Sequence, residues 1–280
     1  MLTGLNPDGV AVGVGVHDGL TARLAERAGL DFLWLGSLEV STSFGLPDNN
    51  LVTSVEMAGL VRAVRGACPL PVYVDADNGY GSDDTALRAA RLFEAAGAAG
   101  MCIEDNAFPK RNSLEIGDRA LLAPAEFADR LAKVCKARTG MSVIARTEAL
   151  VAGRGVDDAV RRLRAYAETG VDGLFVQVNA ACRDQLVPVL ERLHGTAPFV
   201  LAPTALPAMS VDDFGRLGAA AVIFANVVVR TLAITLPATL ARLRRTGRLA
   251  DVADAMGGAT TDAMADATTD AQPVPEASRS

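Results

Sequence analysis

The sequence predicts an α/β protein of the (β/α)8 barrel class, with a single barrel as its folded body, and three observations carry that expectation. Eight apolar runs of strand length alternate with amphipathic helical stretches. A helix ending in Gly, then a small or acidic spacer and an apolar run, recurs as AGLDFLWLG (28–36), AGAAGMCIE (96–104), TGVDGLFVQ (169–177) and LGAAAVIFA (217–225). The length of 280 residues exceeds one ordinary small domain and suits one barrel.

Taken in order, VAVGVGV (10–16) is the first strand and TARLAERA (21–28) the first helix, with His17 or Asp18 placed to cap it. The first Gly-stop unit gives strand two. LPVYVDA (70–76) is strand three, followed by the helix DTALRAARLFEAA (84–96) and strand four. PAEFADRLAKVCKA (124–137) leads to strand five, SVIARTE (142–148), and VDDAVRRLRAYAET (156–169) to strand six. RDQLVPVLERL (183–193) precedes strand seven, FVLAPT (199–204), and the last Gly-stop unit supplies strand eight. In these helices apolar residues recur at three and four with Arg, Asp and Glu between, the pattern of a helix half in water. An open doubly wound sheet is the alternative, but GVGVHDG (13–19) contains no G-x-G-x-x-G after the first strand. The stretch 226–249 is helical, interrupted at Pro237, and too apolar for a solvent-facing helix, so it is expected to pack against something such as a second subunit. The barrel is thus assigned to 1–250. Residues 251–280, rich in Ala, Thr, Asp and Pro without apolar periodicity, are expected to be a disordered tail.

Composition excludes several function classes. Half the residues are hydrophobic while aromatics make up 5%, so the core is built mainly of Ala, Val and Leu. The net charge of −6 argues against nucleic acid or an anionic membrane as main partner. The start of the chain does not read as a signal peptide and no run reaches the ~18 apolar residues of a membrane span, so a cytoplasmic protein is expected. Cys68, Cys102, Cys135 and Cys182 lie far apart, without C-x-x-C and with only two His in the chain. Reduced thiols are the reading, and a zinc site is not. The second His, His194, sits near a helix end as a structural residue, and no Ser-His-Asp or Cys-His pairing emerges.

Polar groups instead gather where strands end, the face on which such barrels hold ligands. Asp75 and Asp77 follow strand three in VDADNGYG, and alternation directs both toward the mouth. Glu104 and Asp105 end strand four, Asp48 lies in a loop after strand two, and Arg146 and Glu148 end strand five. Asp48, Asp75, Asp77 and Glu104 would repel one another unless a cation sat among them. Oxygen ligands without His or Cys point to Mg2+ or Mn2+, held largely through water. Arg146 is a candidate clamp for carboxylate or phosphoryl oxygens, the alternative being an internal ion pair with Glu148 or another mouth acid. NAFPKRNSL (106–114) is a polar loop able to close over a site; by themselves, Lys110 and Arg111 read as solvated charges. Trp34 is either core or mouth.

HDGLTARLAERAG, LPDNN, DADNGYG, EDNAFPKRNSL, IARTEALVAG, APT and AN-x-x-x-R, in this order over about residues 12–245, resemble the phosphoenolpyruvate mutase branch of the isocitrate lyase superfamily. The resemblance implies a (β/α)8 barrel with its last helix swapped between subunits of a homodimer or homotetramer. It implies Asp75 as the direct Mg2+ ligand, with Asp48, Asp77 and Glu104 acting through water. Lys110, Asn112, Ser113 and Leu114 would lie on a gating loop, with Asn112 reaching a transferring phosphoryl group that Arg146 also stabilises. Trp34, Gly36 and Ser37 would flank the substrate carboxylate. The implied reaction interconverts phosphoenolpyruvate and phosphonopyruvate, with no side-chain nucleophile and a closed loop excluding water. Formation of the carbon–phosphorus bond is uphill, so a partner enzyme consuming phosphonopyruvate is implied as pathway neighbour.

Three positions depart from that pattern. Asn106 stands where Lys is usual, Leu35-Gly36-Ser37 inverts the usual Ser-Gly order, and Gln177 occupies the end of strand six where a His contacts the phosphoryl group. Gln donates a hydrogen bond but carries no charge, which leaves room for a weakened mutase or an activity on a different anion. Phosphonopyruvate hydrolase is the close alternative, although that branch usually has Thr-Ser where this chain has Asn112-Ser113. A related enzyme cleaving another C–P or C–C bond of a 2-oxo acid is broader still, but the catalytic-Cys loop of the lyases is absent. A catalytically silent ligand-binding homologue is the reading from outside enzymology.

Overall fold

A computed structural model describes residues 9–112 and 119–253, so the expected loop residues Ser113 and Leu114, and all of the expected tail beyond Ala253, lie outside the described residues. Within them the chain runs β1 (Ala11–Val16), α1 (Gly19–Arg27), β2 (Phe32–Leu35), α2 (Ser37–Ser43), α3 (Ser54–Ala67), β3 (Val72–Asp75), α4 (Asp83–Ala95), β4 (Gly100–Glu104) and α5 (Pro124–Ala137). It continues with β5 (Ser142–Thr147), α6 (Gly155–Ala167), β6 (Gly173–Val176), α7 (Leu186–Arg192), β7 (Phe199–Leu201), α8 (Val211–Arg216), β8 (Ala219–Phe224) and α9 (Val227–Thr246). The strands are parallel and pair in chain order, and β8 returns to β1 to close the barrel. This is the (β/α)8 architecture the alternation predicts.

The local signals act as expected. Gly29, Gly97, Gly170 and Gly218 all have positive φ, so each recurrent unit does stop its helix in the left-handed region. Asp18 caps α1, accepting from the Thr21 amide, while Thr53 and Ser82 cap α3 and α4 in reciprocal capping boxes.

The core has two shells. Between strands and helices lies a continuous aliphatic layer rich in Ala, Val and Leu. Inside the barrel Phe32, Trp34, Tyr73, Cys102, Ile144, Phe175, Val200 and Ile223 pack together. Few aromatics suffice because glycines make room for them. A Cβ on Gly13 would lie 2.4 Å from the Phe32 ring, and one on Gly100 would lie 2.4 Å from Tyr73. The two rings then meet edge to face at 5.5 Å. Cys68, Cys102, Cys135 and Cys182 are all free thiols, as read.

Asp48 lies in a loop after β2, as expected, beyond the short helix α2. One local expectation needs correction: Pro237 does not interrupt α9, which runs unbroken through it. Proline gives up its own amide bond and little else there, and the neighbouring Thr231, Thr235 and Thr239 hydroxyls bond back to carbonyls four residues earlier. Among the twenty residues of α9 only Val229 is buried. Val227, Leu232, Ile234, Leu236 and Leu240 remain exposed, Ile234 to 75%. Past α9, Val252 packs back as a buried residue in a short 3-10 turn, Leu249–Val252.

Candidate active site

The carboxyl ends of the strands open onto a mouth lined by Trp34, Ser37, Leu38, Glu39, Asp48, Asp75, Lys110, Asn112, Arg146, Phe175, Gln177, Thr204 and Asn226. Strand parity places many of them. In β4 and β5 the register sets Glu104 beside Arg146. Neighbours in a strand face opposite ways, so Glu104 faces the mouth while Asp105 faces the helical layer. There Asp105 accepts from the Thr147 hydroxyl, the Tyr166 hydroxyl, the Glu148 amide and Arg162. Asp77 reaches the mouth by a different route from the expected alternation. The strand ends at Asp75, and Asp77 sits in a left-handed turn at φ 50°, its amide donating to Asp75 Oδ1.

Lys110 is the centre of the cluster, a correction to its reading as a solvated charge. It is 6% exposed, and its ammonium lies 2.7 Å from Asp48 Oδ1, 2.6 Å from Asp77 Oδ1 and 2.7 Å from the Ser37 hydroxyl. Asn50, also in the left-handed region, completes the joint. Its amide donates to Asp77 Oδ2, and its carbonyl oxygen accepts from the Lys110 backbone amide. Arg111, by contrast, is exposed as read.

Arg146 makes the internal ion pair the sequence allowed as an alternative, and its guanidinium also lines the mouth. Its Nε and Nη2 donate to one oxygen of Glu148, at 2.8 and 2.6 Å. Nε also lies 3.2 Å from Glu104, Nη1 lies 3.6 Å from Asp75, and the guanidinium stands 5.1 Å over the Phe175 ring. It therefore lines the mouth while ion-paired at its back. Of the three departures, Asn106 donates to Glu104 Oε1 at 2.8 Å, and Gln177 donates to the Val178 carbonyl at 2.9 Å. Ser37 Oγ sits between Lys110 and Asp75, so the inverted Gly36-Ser37 order puts a hydroxyl into the acid cluster.

Burial and charge together set the protonation. Burial pushes the Asp48 and Asp75 carboxyls up, against the pull of Lys110 and Arg146 respectively. Glu104 is pushed up to about 8 by burial, with Arg146 opposing. Burial alone would lower the Lys110 ammonium, but Asp77, Asp48, Glu104 and Asp75 hold it well above its ordinary value. Burial thus favours the neutral form of these acids, and the buried cations oppose it.

The oxygen donors suit a hard divalent cation, and their excess over the neighbouring positive charges fits one. Among the described residues, however, no three Asp, Glu, His or Cys close on one point as they lie. Asp75, Asp77, Asp48 and Glu104 are the carboxylates at this mouth that would hold the cation.

Sequence reasoning missed Glu39, Asn50, Phe175, Arg119, Thr204 and Asn226. Glu39 had one usable signal. It is a charged residue in LGSLEVS, and it is 2% exposed, wedged against two glycines. A Cβ on Gly15 or Gly36 would lie 2.3 or 2.1 Å from its carboxyl oxygens. Burial pushes this carboxyl to about 8.

Comparison with known proteins agrees with the geometry. The family described as phosphoenolpyruvate phosphomutase matches residues 5–244. A phosphoenolpyruvate phosphomutase of Streptomyces hygroscopicus is 42% identical over 231 residues, which cover 81% of this chain and 73% of that protein. The crystal structure of a phosphoenolpyruvate phosphomutase from Streptomyces platensis subsp. rosaceus superposes with a TM-score of 0.89 at 35% identity, covering 93% of this chain and 91% of that one. A phosphonopyruvate hydrolase in complex with oxalate and Mg2+ superposes at 0.87 and 30% identity, covering 96% and 93%. With the barrel closed in chain order and the acid, lysine and arginine groups gathered at its mouth, this chain belongs to the phosphoenolpyruvate phosphomutase family of enzymes.

Proposed function

We propose that this chain is a Mg2+-dependent phosphoenolpyruvate mutase that interconverts phosphoenolpyruvate and phosphonopyruvate, with Mn2+ an acceptable substitute. The observation that carries the reading is the pairing of a buried acid–lysine cluster with a guanidinium and an asparagine at one mouth. Asp75, helped by Asp77, Glu104 and Asp48 through water, is the set that would hold the metal. When bound, Mg2+ supplies the positive charge that stabilises a pyruvate enolate.

The residues of the chain do the rest. Arg146, Asn112 and Lys110 offer donors to a phosphoryl group in transit, and Gln177 adds a neutral one once it leaves Val178 O. Trp34, Gly36 and Ser37 flank the carboxylate end, while the expected gating-loop residues Ser113 and Leu114 lie outside the described residues. Trp34 and Phe175 meet edge to face at 6.4 Å and keep the floor apolar, which excludes water from the reacting group. No side-chain nucleophile is required. Asp48 and Lys110 hold one another in place within the mouth.

A second reading is supported by Gln177, the position where a charged donor would retain the phosphoryl group: phosphonopyruvate hydrolysis, in which water captures it. Phosphorus NMR of the protein with phosphonopyruvate and Mg2+ separates the two. A growing phosphoenolpyruvate signal is expected, inorganic phosphate would mean hydrolase, and an unchanged spectrum would end both. The uphill direction implies a partner reaction that consumes phosphonopyruvate. The exposed apolar side of α9 supports assembly into a homodimer or homotetramer. The absence, among the described residues, of any helix long and apolar enough to cross a membrane is compatible with a cytoplasmic setting.

A further inference from the structure

One buried chain of polar contacts is left unused by this reading. Glu148 is 0% exposed, and its two carboxylate oxygens are committed to different arginines. Oε1 takes both Nε and Nη2 of Arg146, and Oε2 takes Nη1 of Arg119 at 2.9 Å. Arg119 in turn donates from Nη2 to the Asn112 carbonyl at 3.3 Å. The Glu148 backbone is pinned as well, its amide donating to Asp105 Oδ1, and Asp105 is itself fixed by Thr147, Tyr166 and Arg162.

We propose that Glu148 and Arg119 are positioning residues: Glu148 sets the plane of the Arg146 guanidinium, and Arg119 sets Glu148 while holding the backbone at Asn112, so the two donors to the substrate anion share one register. The proposal rests on Arg146 acting as the anion clamp.

The geometry goes beyond a stabilising ion pair. Buried pairs add little net stability, because desolvation offsets most of the attraction. A side-by-side fork would use both carboxylate oxygens on one arginine. Here Arg146 converges on a single oxygen, and the other is free for Arg119. The guanidinium is then caught between Glu148 behind it and the Phe175 face, with Nη1 turned toward Asp75. Removing Arg119 takes its guanidinium away from Glu148 Oε2, and the carboxylate is drawn toward Arg146. That changes the clamp without touching it.

The test uses Arg119→Met and Glu148→Gln in the full chain, with two readouts. The first is the Arg146 Nε–H resonance, assigned by its disappearance in Arg146→Lys. The second is Mg2+–oxalate affinity by calorimetry. Both variants are expected to move or broaden the resonance and to weaken oxalate about tenfold, the usual scale for outer groups that orient a binding residue. An unchanged resonance in a folded Arg119→Met protein overturns the proposal, whether affinity falls or not, since Arg119 would then act other than through Arg146. If Arg119→Met does not fold, Arg119→Lys replaces it, because a single ammonium cannot span Glu148 Oε2 and the Asn112 carbonyl. Failure of the native protein to bind Mg2+–oxalate would instead count against the functional reading, and the resonance would still decide the relay.

Discussion

Lys110 Nζ lies 2.6 Å from Asp77 Oδ1, so a residue of the β4 loop neutralises an acid of the β3 turn deep in the mouth. The same ammonium holds Asp48. Replacing it by an apolar isostere leaves two nearly buried carboxylates facing each other. Lys110→Met is expected to lower the unfolding free energy of metal-free protein by about 3–5 kcal/mol, the scale of a broken buried pair. Added Mg2+ should restore more stability to the variant than to the native chain. Urea melts with and without Mg2+ measure both, and an unchanged metal-free midpoint would show that the ammonium does not hold the acids.

Glu39 gives a pH prediction whose sign follows from its raised pKa. The carboxyl titrates near 4.5 when unfolded and at about 8 in the native site, so the folded state binds the extra proton between them. Its stabilising contribution is complete below the unfolded value and is lost as pH rises through about 8. Glu39→Gln keeps the shape and removes the titration. Relative to the native chain, the variant should gain stability on the order of a few kcal/mol between pH 5 and pH 9. Melts at pH 5, 7 and 9 read the difference, and a flat difference would mean that the acid is not held neutral.

Gln177 follows strand six, where the resemblance to the mutases implies a His. Its amide is spent on the Val178 carbonyl, and it brings no charge. Gln177→His should raise the rate of phosphoenolpyruvate formation from phosphonopyruvate, assayed by phosphorus NMR. No gain would mean that this side chain is not what limits the reaction.

The exposed side of α9 predicts assembly. Ile234 and Leu240 are 75% and 54% exposed on a helix with one buried residue, an arrangement that costs solubility unless something covers it. The native chain is expected to run as a dimer or larger in sedimentation, and Ile234→Glu with Leu240→Glu should reduce its mass to that of a monomer. A native monomer would refute the assembly reading.

Much of this site was legible before the structure. The Gly-stop units gave four of the strands their starts, because a left-handed helix stop is a property of one residue and its neighbours. Asp75, Glu104, Arg146 and Gln177 were legible because each lies at or next to the end of a strand, and the fold sends strand ends to one face. The loop lysine was misread as solvated in isolation, since nothing within ten residues of Lys110 shows that Asp48 and Asp77 stand across from it. Glu39 was passed over because its burial against Gly15 and Gly36 arises only once α2 packs on the barrel.

The division follows from the range of the forces involved. By itself the sequence determined the alternation of strands and helices and the placement of polar groups at one mouth. Both rest on periodicity and backbone preferences acting over a few residues. Only the tertiary structure decided partners. Closure of the barrel set Glu104 beside Arg146, turned Asp105 toward Tyr166 and Arg162, seated Lys110 between Asp48 and Asp77, and gave Glu148 a different arginine on each oxygen. Those pairings join residues far apart in the chain, and a buried charge is costly unless it finds its counterpart there.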